Sequence, residues 1–325
     1  MNDGPYAPTV RWFDIEKDPA GWDSLVDEQG LSLFHLSPVL EAHRYGKSVR
    51  RGVVVERAGR VVAAIGGNLA EGRRFTTLGF PRAGPEAPQD LPGRLSAWLC
   101  DQGVSELDVG SFDGGVEAYD AVAAGTPRDR LEFPWVLPPD ASAVRAVLRT
   151  NHRRKLKKLD EIAATVRVIP NRQAWVLSRI RAHWEQRKGG RVRAWITLLN
   201  NHRFHTRVDR HMGRAGLATL YGMYDGEALL SIAYMLEFKA RAFYMLGASS
   251  PLGYKVGASI GMFCQLAALY RARGVTVLNL GGVPKEAEQP DHEEHGVYRF
   301  KTGFGITPAL HRSLHIVTLP GGRRN

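Results

Sequence analysis

The densest run of cations in this sequence is Arg149 to Lys158, RTNHRRKLKK. Six of its ten residues are basic: Arg149, Arg153, Arg154, Lys155, Lys157 and Lys158. Wound into a helix they spread over more than half the circumference and repel one another unless an anion neutralises them. Phosphate contacts would do so, through ion pairing and counterion release; the same run also fits a solvated helix face. No aromatic residues interleave with it, so base stacking is not indicated at this helix.

Other spellings point to chemistry that their context does not support. Gly257-Ala258-Ser259-Ile260-Gly261 has the form GxSxG, but a nucleophile elbow needs a strand running straight into the serine. Here Tyr254-Lys255 intervene after the preceding strand, and the small residues suit close packing at the start of a helix. Asp291 to His295, DHEEH, sets its histidines three apart, whereas a zinc-binding helix sets them four apart; a polar loop is expected. Gly281-Gly282 follows a strand but belongs to no GxGxxG. Leu252 to Gly257 is the one candidate for a pyrophosphate-holding loop at a helix start, and it lacks an Arg/Gln-x-x-Gly-x-Gly/Ala spelling.

These residues must be positioned by mixed α and β structure. In the first half, Leu33 to Tyr45 reads as a short helix. Two strands meet at Ala58-Gly59, RRFTTLGFP forms a third, and Leu91 to Asp101 a helix. A Pro-rich stretch ends at Pro138-Pro139. Asp140 then caps a helix whose buried face is Val144, Leu148, His152, Leu156 and Leu159. The second half continues with the strand TVRVIP and helices over Arg172–Arg187 and Trp195–Gly213. An antiparallel meander turns at Asp225-Gly226 and near Lys239. A helix over Val256–Arg273, the strand VTVLNLGG, a short helix and a last strand complete it. Three antiparallel strands, helix, strand, short helix, strand is an order that resembles the acetyltransferase fold, and the first half gives a weaker version of it. The expected organisation is a mixed α/β (α+β) chain of two tandem acetyltransferase-like domains, residues 1–140 and 141–325.

Composition agrees with a globular chain: 325 residues, 44% hydrophobic and 24% charged. The formal charge of +11 favours a polyanionic partner. Cys100 and Cys264 sit in apolar helical patterns and are expected as buried thiols; no CxxC pair suggests zinc, and no metal is expected. The first residues lack the form of a signal peptide and no stretch reaches the length of a membrane span, so a cytoplasmic protein is expected.

Tyr254 to Gly305 carries a likeness to a known group. YKVGASIGMFCQLAALYRARGVTVLNLGG followed by Phe300-Lys301-Thr302-Gly303-Phe304-Gly305 resembles the second domain of the FemABX-type aminoacyl-tRNA transferases and their FemAB-like (BioF2-like) acyltransferase relatives. LRTNHRRKLKKLDEIAATVRV is similar to the basic helix that opens that domain. The resemblance implies two acetyltransferase-like domains and transfer of an amino acid from tRNA to an amine, in peptidoglycan precursors or peptide antibiotics. It implies that Lys301 contacts the tRNA acceptor end beside Phe300 and assists the transition state, and that Arg149, Arg153, Arg154, Lys157 and Lys158 hold the tRNA. Tyr254, Arg44, Asp108 and Arg193 (or Arg191) are implied at the acceptor, a peptide or nucleotide-linked amine. No resident cofactor is implied, aminoacyl-tRNA being a co-substrate. Asn279 stands where the group often has Asp. Two further readings remain: the same fold with an acyl-CoA or carrier-protein thioester donor, and a tRNA-binding protein without catalysis.

Overall fold

The computed structural model describes residues 8–71, 73–79, 82–83, 91–110, 126–189 and 191–316. The chain divides into two compact units, residues 1–130 with 310–325, and residues 131–309. The boundary expected after residue 140 thus lies ten residues further along than the division at Arg130/Leu131, and the C-terminal stretch groups with the first unit rather than the second.

The first unit runs β1 (Thr9–Asp14), α1 (Pro19–Glu28), a 3-10 turn (Leu33–His35), α2 (Ser37–Ala42), β2 (Val49–Arg57), β3 (Arg60–Ala70), β4 (Arg74–Thr77), the two-residue β5 (Arg82–Ala83), α3 (Leu91–Asp101) and β6 (Glu106–Val109). The single helix expected over Leu33–Tyr45 is therefore a 3-10 turn and a short helix. Ser32 Oγ caps the turn by accepting from Phe34 N–H, and Leu36 is extended before Ser37-Pro38. β1, β2, β3 and β4 are antiparallel neighbours, and β6 joins β4 in parallel. The last described strand of the chain pairs antiparallel with β6. That pairing is why the C-terminal stretch belongs here.

The chain passes to the second unit within β7 (Thr126–Val136). There follow α4 (Ala141–Val147), α5 (Thr150–Glu161), β8 (Thr165–Ile169), α6 (Trp175–Gly189), α7 (Arg191–Arg207), β9 (Ala218–Asp225), β10 (Ala228–Phe238), β11 (Arg241–Ser249), α8 (Pro251–Val256), α9 (Ala258–Ala272), β12 (Val277–Pro284), α10 (His295–Thr302) and β13 (Ala309–Ile316), the last returning to the first unit. The strand order is β7-β12-β11-β10-β9-β8. β8 to β11 are antiparallel and β12 joins β11 in parallel after α9. Both units share one plan, an antiparallel meander followed by a helix and a parallel strand.

Two expected helices are each broken in two. The five-residue face Val144, Leu148, His152, Leu156 and Leu159 is buried throughout, yet Leu148 and Arg149 are extended and separate α4 from α5. The break frees Arg149 N–H to bond the carbonyl of Gly303 at 2.9 Å. The helix expected over Val256–Arg273 is instead α8 and α9, parted at Gly257 with φ +77°. That left-handed residue ends α8 and begins α9, and a Cβ on it would stand 2.8 Å from Lys155 Cδ. The small residues of GxSxG accordingly bring α9 against α5, where Gly261 faces Leu159. The helix expected over Trp195–Gly213 is α7, which closes in a π-helical turn over Val208–Gly213. β12 runs on through Gly281-Gly282 to Pro284.

Candidate active site

A cleft of about 670 Å³ opens in the second unit, and all of its lining belongs to that unit. Its origin lies in the sheet. β11 and β12 pair only over Arg241–Phe243 with Val277–Asn279. The pairing ends there, and Lys301 from α10 lies against the unpaired Gly281-Gly282 stretch of β12. Lys301 Nζ donates to the carbonyl of Gly282 at 3.1 Å and lies 5.3 Å from the centre of the Phe133 ring. Lys301 is only 4% exposed. It is therefore not the surface lysine that its neighbours Phe300 and Phe304 would also have allowed. An ammonium this deep is costly unless hydrogen bonds and ring faces compensate for lost water. Gly281 takes a left-handed φ of +74°, which favours glycine, and a Cβ there would stand in ordinary contact, 3.7 Å from Nζ. Asn279, in place of the Asp of the resembling group, steadies the same strand by accepting from Gly281 N–H and donating to the buried Glu132.

The Phe-Lys-x-Gly-Phe-Gly turn is fastened to α5. Since the carbonyl of Phe300 only accepts, His152 must carry its proton on Nε2, 2.8 Å away. Burial holds the His152 pKa below its ordinary value, against the Phe300 carbonyl, with Lys155 and Arg149 lowering it further. A Cβ on Gly303 would overlap the His152 ring, and one on Gly305 would overlap the carbonyl of Val147 at the end of α4. The glycines of the motif are thus demanded by close approach to the broken helix. Phe304 is fully buried against Trp135, His152 and Phe263.

The remaining lining sorts by chemistry. Arg149, Lys155, Arg299 and Tyr254 stand on the cleft together with one acid, Glu293. Tyr254 is 67% exposed, and Lys155 Nζ sits over its ring at 5.9 Å. Ser231, Ser249, Tyr244, Phe263 and Phe300 line the interior. Burial pushes the Tyr244 hydroxyl up to about 12, so it is a neutral donor at any ordinary pH. The arrangement places cations where an anionic carrier would arrive and a buried ammonium where an acyl oxygen could be polarised.

Of the residues expected at the site, Lys301, Phe300, Tyr254 and Arg149 line this one cleft. Arg153, Arg154, Lys157 and Lys158 do not line it; they are exposed along α5. Arg44 and Asp108 lie in the first unit and are engaged in ion pairs. Arg44 pairs with Glu16 and Glu41, and Asp108 with Arg74 at 3.1 Å. Arg193 lies in α7, its side chain outside the described residues, as is that of Arg191. Lys155 entered the sequence reading only as one cation of the basic run, and His152 and Tyr244 were not singled out as site residues. His152 carried a signal, a polar residue on an otherwise apolar helical face; Tyr244 carried none.

The other motifs resolve into local structure. Glu294 N–H donates to His292 Nδ1, and His295 Nδ1 bonds the carbonyl of Ala287, so DHEEH forms the turn that begins α10. In the pyrophosphate candidate, Ser250 Oγ accepts from Gly253 N–H and the Ser250 carbonyl from Tyr254 N–H. Those amides are occupied by the chain itself. Cys100 and Cys264 are both free thiols, Cys264 buried and Cys100 half-buried. No helix among the described residues is long and apolar enough to cross a membrane.

Residues 146–302, which hold all of the cleft lining but Gly303, match the acetyltransferase (GNAT) domain family. No curated protein matches the chain in sequence. Among solved structures, FemX shares 13% identity, covers 95% of this chain and 97% of its own, and superposes with a TM-score of 0.68. The fold is of the FemABX type. A conserved protein of unknown function from Bacteroides thetaiotaomicron VPI-5482 superposes at 0.61 with 9% identity, over 94% of this chain and 99% of that one. L-PGS from Bacillus licheniformis superposes at 0.55 with 11% identity, over 93% and 92%. At these identities the likeness is one of fold. The FemABX-type fold comprises two acetyltransferase-like units, and in this chain the second of them carries the cleft.

Proposed function

We propose that this FemABX-type protein is an acyltransferase that moves an aminoacyl group from aminoacyl-tRNA to an amine on a small acceptor, forming an amide. The observation that supports it best is the buried Lys301 side chain in a cleft that Arg149, Lys155 and Arg299 also line. An aminoacyl ester is already activated, so the reaction needs no resident cofactor and no covalent enzyme intermediate. The acceptor nitrogen attacks the ester carbonyl carbon, the C–N bond forms, and the C–O bond to the ribose breaks. The departing oxygen takes the proton released by the amine. Lys301 donates to the carbonyl oxygen as negative charge builds there, and the cleft walls hold the amine against the ester. Cations on α5 neutralise the carrier's phosphates. The acceptor is a peptide intermediate or a peptidoglycan precursor, with Tyr254 at its entry.

The donor decides between this reading and an acyl-CoA or carrier-protein thioester. The occupied amides at Ser250–Tyr254 favour tRNA, since a pyrophosphate needs such N–H groups free. Purified protein is given a panel of amines together with a mixture of charged tRNAs and acyl-CoA and carrier-protein thioesters, with and without ribonuclease. Amide product that vanishes with ribonuclease is the expected outcome; product that survives, made from a thioester, overturns the tRNA donor. Lys301→Met keeps the side chain's length without its charge. It should lower the transfer rate by about 100-fold or more, as for loss of one oxyanion donor, while the thermal midpoint shows the fold retained. Full transfer by that folded variant would remove Lys301 from the chemistry. Binding of tRNA without turnover by the wild type would leave a non-catalytic RNA-binding protein.

A further inference from the structure

Much of the net positive charge of this chain lies outside the cation run at Arg149–Lys158. Residues 171–214, which span α6, α7 and the turns at either end, contain eleven Lys and Arg against two acids, Glu185 and Asp209. That segment alone accounts for +9, where the whole chain carries +11. Several arginines elsewhere sit on carboxylates: Arg50 on Glu16, Arg51 on Asp14, Arg74 on Asp108, Arg145 on Asp160, Arg273 on Glu237. In the hairpin, Arg172, Arg179, Arg203, Arg210 and Arg214 are exposed, and none has a carboxylate partner among the described residues. The 3-10 turn at Asn171–Gln173 packs on the π-helical turn at Val208–Gly213. Asn171 fixes that junction by donating to the Ala218 carbonyl and accepting from Leu220 N–H. Arg172 and Arg210 are thereby gathered at one end of a rigid hairpin, with Arg203 two turns along α7. α6 packs on β11, the strand whose Tyr244 and Gly247–Ser249 line the cleft.

Unpaired arginines at this density repel one another, and only an external polyanion relieves them. A lipid surface would favour a helix whose charged and apolar faces are segregated. Here exposed Ile196 and Leu199 share one face of α7 with exposed Arg203, at spacings of three and four. We infer that the α6–α7 hairpin is a docking surface for the phosphate backbone of a folded RNA, the body of the carrier whose acylated end enters the cleft. This rests on the reading of the donor as aminoacyl-tRNA. Planar guanidinium groups pair with phosphate oxygens two at a time, and the surface reads shape and charge rather than bases.

The test uses the full chain and its triple variant Arg172→Gln/Arg203→Gln/Arg210→Gln, with the triple Arg→Lys variant as a charge-preserving control. Binding is followed by fluorescence anisotropy across a salt series with three probes: deacylated bulk tRNA, a short RNA stem-loop ending in CCA, and phosphatidylglycerol vesicles. Three lost phosphate contacts should weaken tRNA binding by at least about tenfold and flatten the slope of log K against log salt by roughly 2. The short stem-loop, which reaches only the cleft, should bind wild type and variant alike, and the Lys variant should keep most of the affinity for tRNA. Unchanged tRNA affinity and slope in a folded Gln variant overturn the inference. So does an equal loss for both RNAs, or binding to vesicles in place of tRNA. If tRNA binding falls as expected but charged tRNA donates nothing, the donor reading fails and the docking surface stands.

Discussion

Gly303 and Gly305 hold Lys301 in place by what they lack. With Gly303 against the His152 ring and Gly305, at φ +76°, against the Val147 carbonyl, the α10 turn lies directly on the start of α5. Gly303→Ala forces the ring aside and should cost about 1–3 kcal/mol, as overpacking does. Gly305→Ala adds left-handed strain to a backbone overlap and should cost at least as much. Thermal unfolding of the two variants checks both values, and the motif predicts that transfer falls with stability in each. A second residue-scale expectation concerns the thiols. Burial pushes Cys264 up to about 12, so it stays a protonated thiol lining a small, mostly apolar cavity between α4, α5 and α9. Iodoacetamide at pH 8 should label only Cys100 in the native protein and both thiols in denaturant, read by intact mass. The Phe-Lys-x-Gly-Phe-Gly spelling made this turn legible in sequence. The depth of Lys301 was not, because it depends on where the pairing of β11 and β12 ends, and the end of a pairing leaves no periodic trace.

Elements were easier to read than their interruptions. The buried face of α4 and α5 followed from apolar spacing, and the hairpin turns followed from Asp225-Gly226 and Ala58-Gly59. The breaks at Leu148-Arg149 and at Gly257 did not, since each is matched by a partner distant in sequence: the Gly303 carbonyl bonds Arg149 N–H, and Lys155 packs against Gly257. The junction of α6 and α7 hides a further feature. Ser178 and His205 are both buried and hydrogen-bonded at 2.8 Å. Burial, with the charge of Arg181, lowers the His205 pKa from 6.5 to about 4. The folded protein therefore favours neutral His205, and this contribution to stability is complete above pH 6.5. It is lost as pH falls from 6.5 towards 4, up to about 3 kcal/mol. Denaturant midpoints measured at pH 7.5, 5.5 and 4.5 should fall for the wild type and fall less steeply for His205→Gln. Parallel slopes would place the acid sensitivity elsewhere.

For the molecule as a whole, charge and connectivity carry separate consequences. With +9 of the +11 on one hairpin, raising salt should raise the KM for an RNA donor while leaving kcat nearly constant, because screening acts on encounter and grip rather than on Lys301 in its buried site. Initial rates across a salt series separate the two effects. The cations of Arg149–Lys158 are contiguous and stand out as a run, whereas the eleven of residues 171–214 are scattered and form no run in the sequence. The two-unit plan was readable from the repeated order of strands and helix; the unit boundaries were not, because strand pairing decides them. β13, beginning at the end of the second unit, pairs with β6 of the first. A ribosome making this chain must therefore release all of residues 131–309 before the first unit receives its closing strand. The half that is synthesised earliest is the half completed last, and no single cut yields both halves whole.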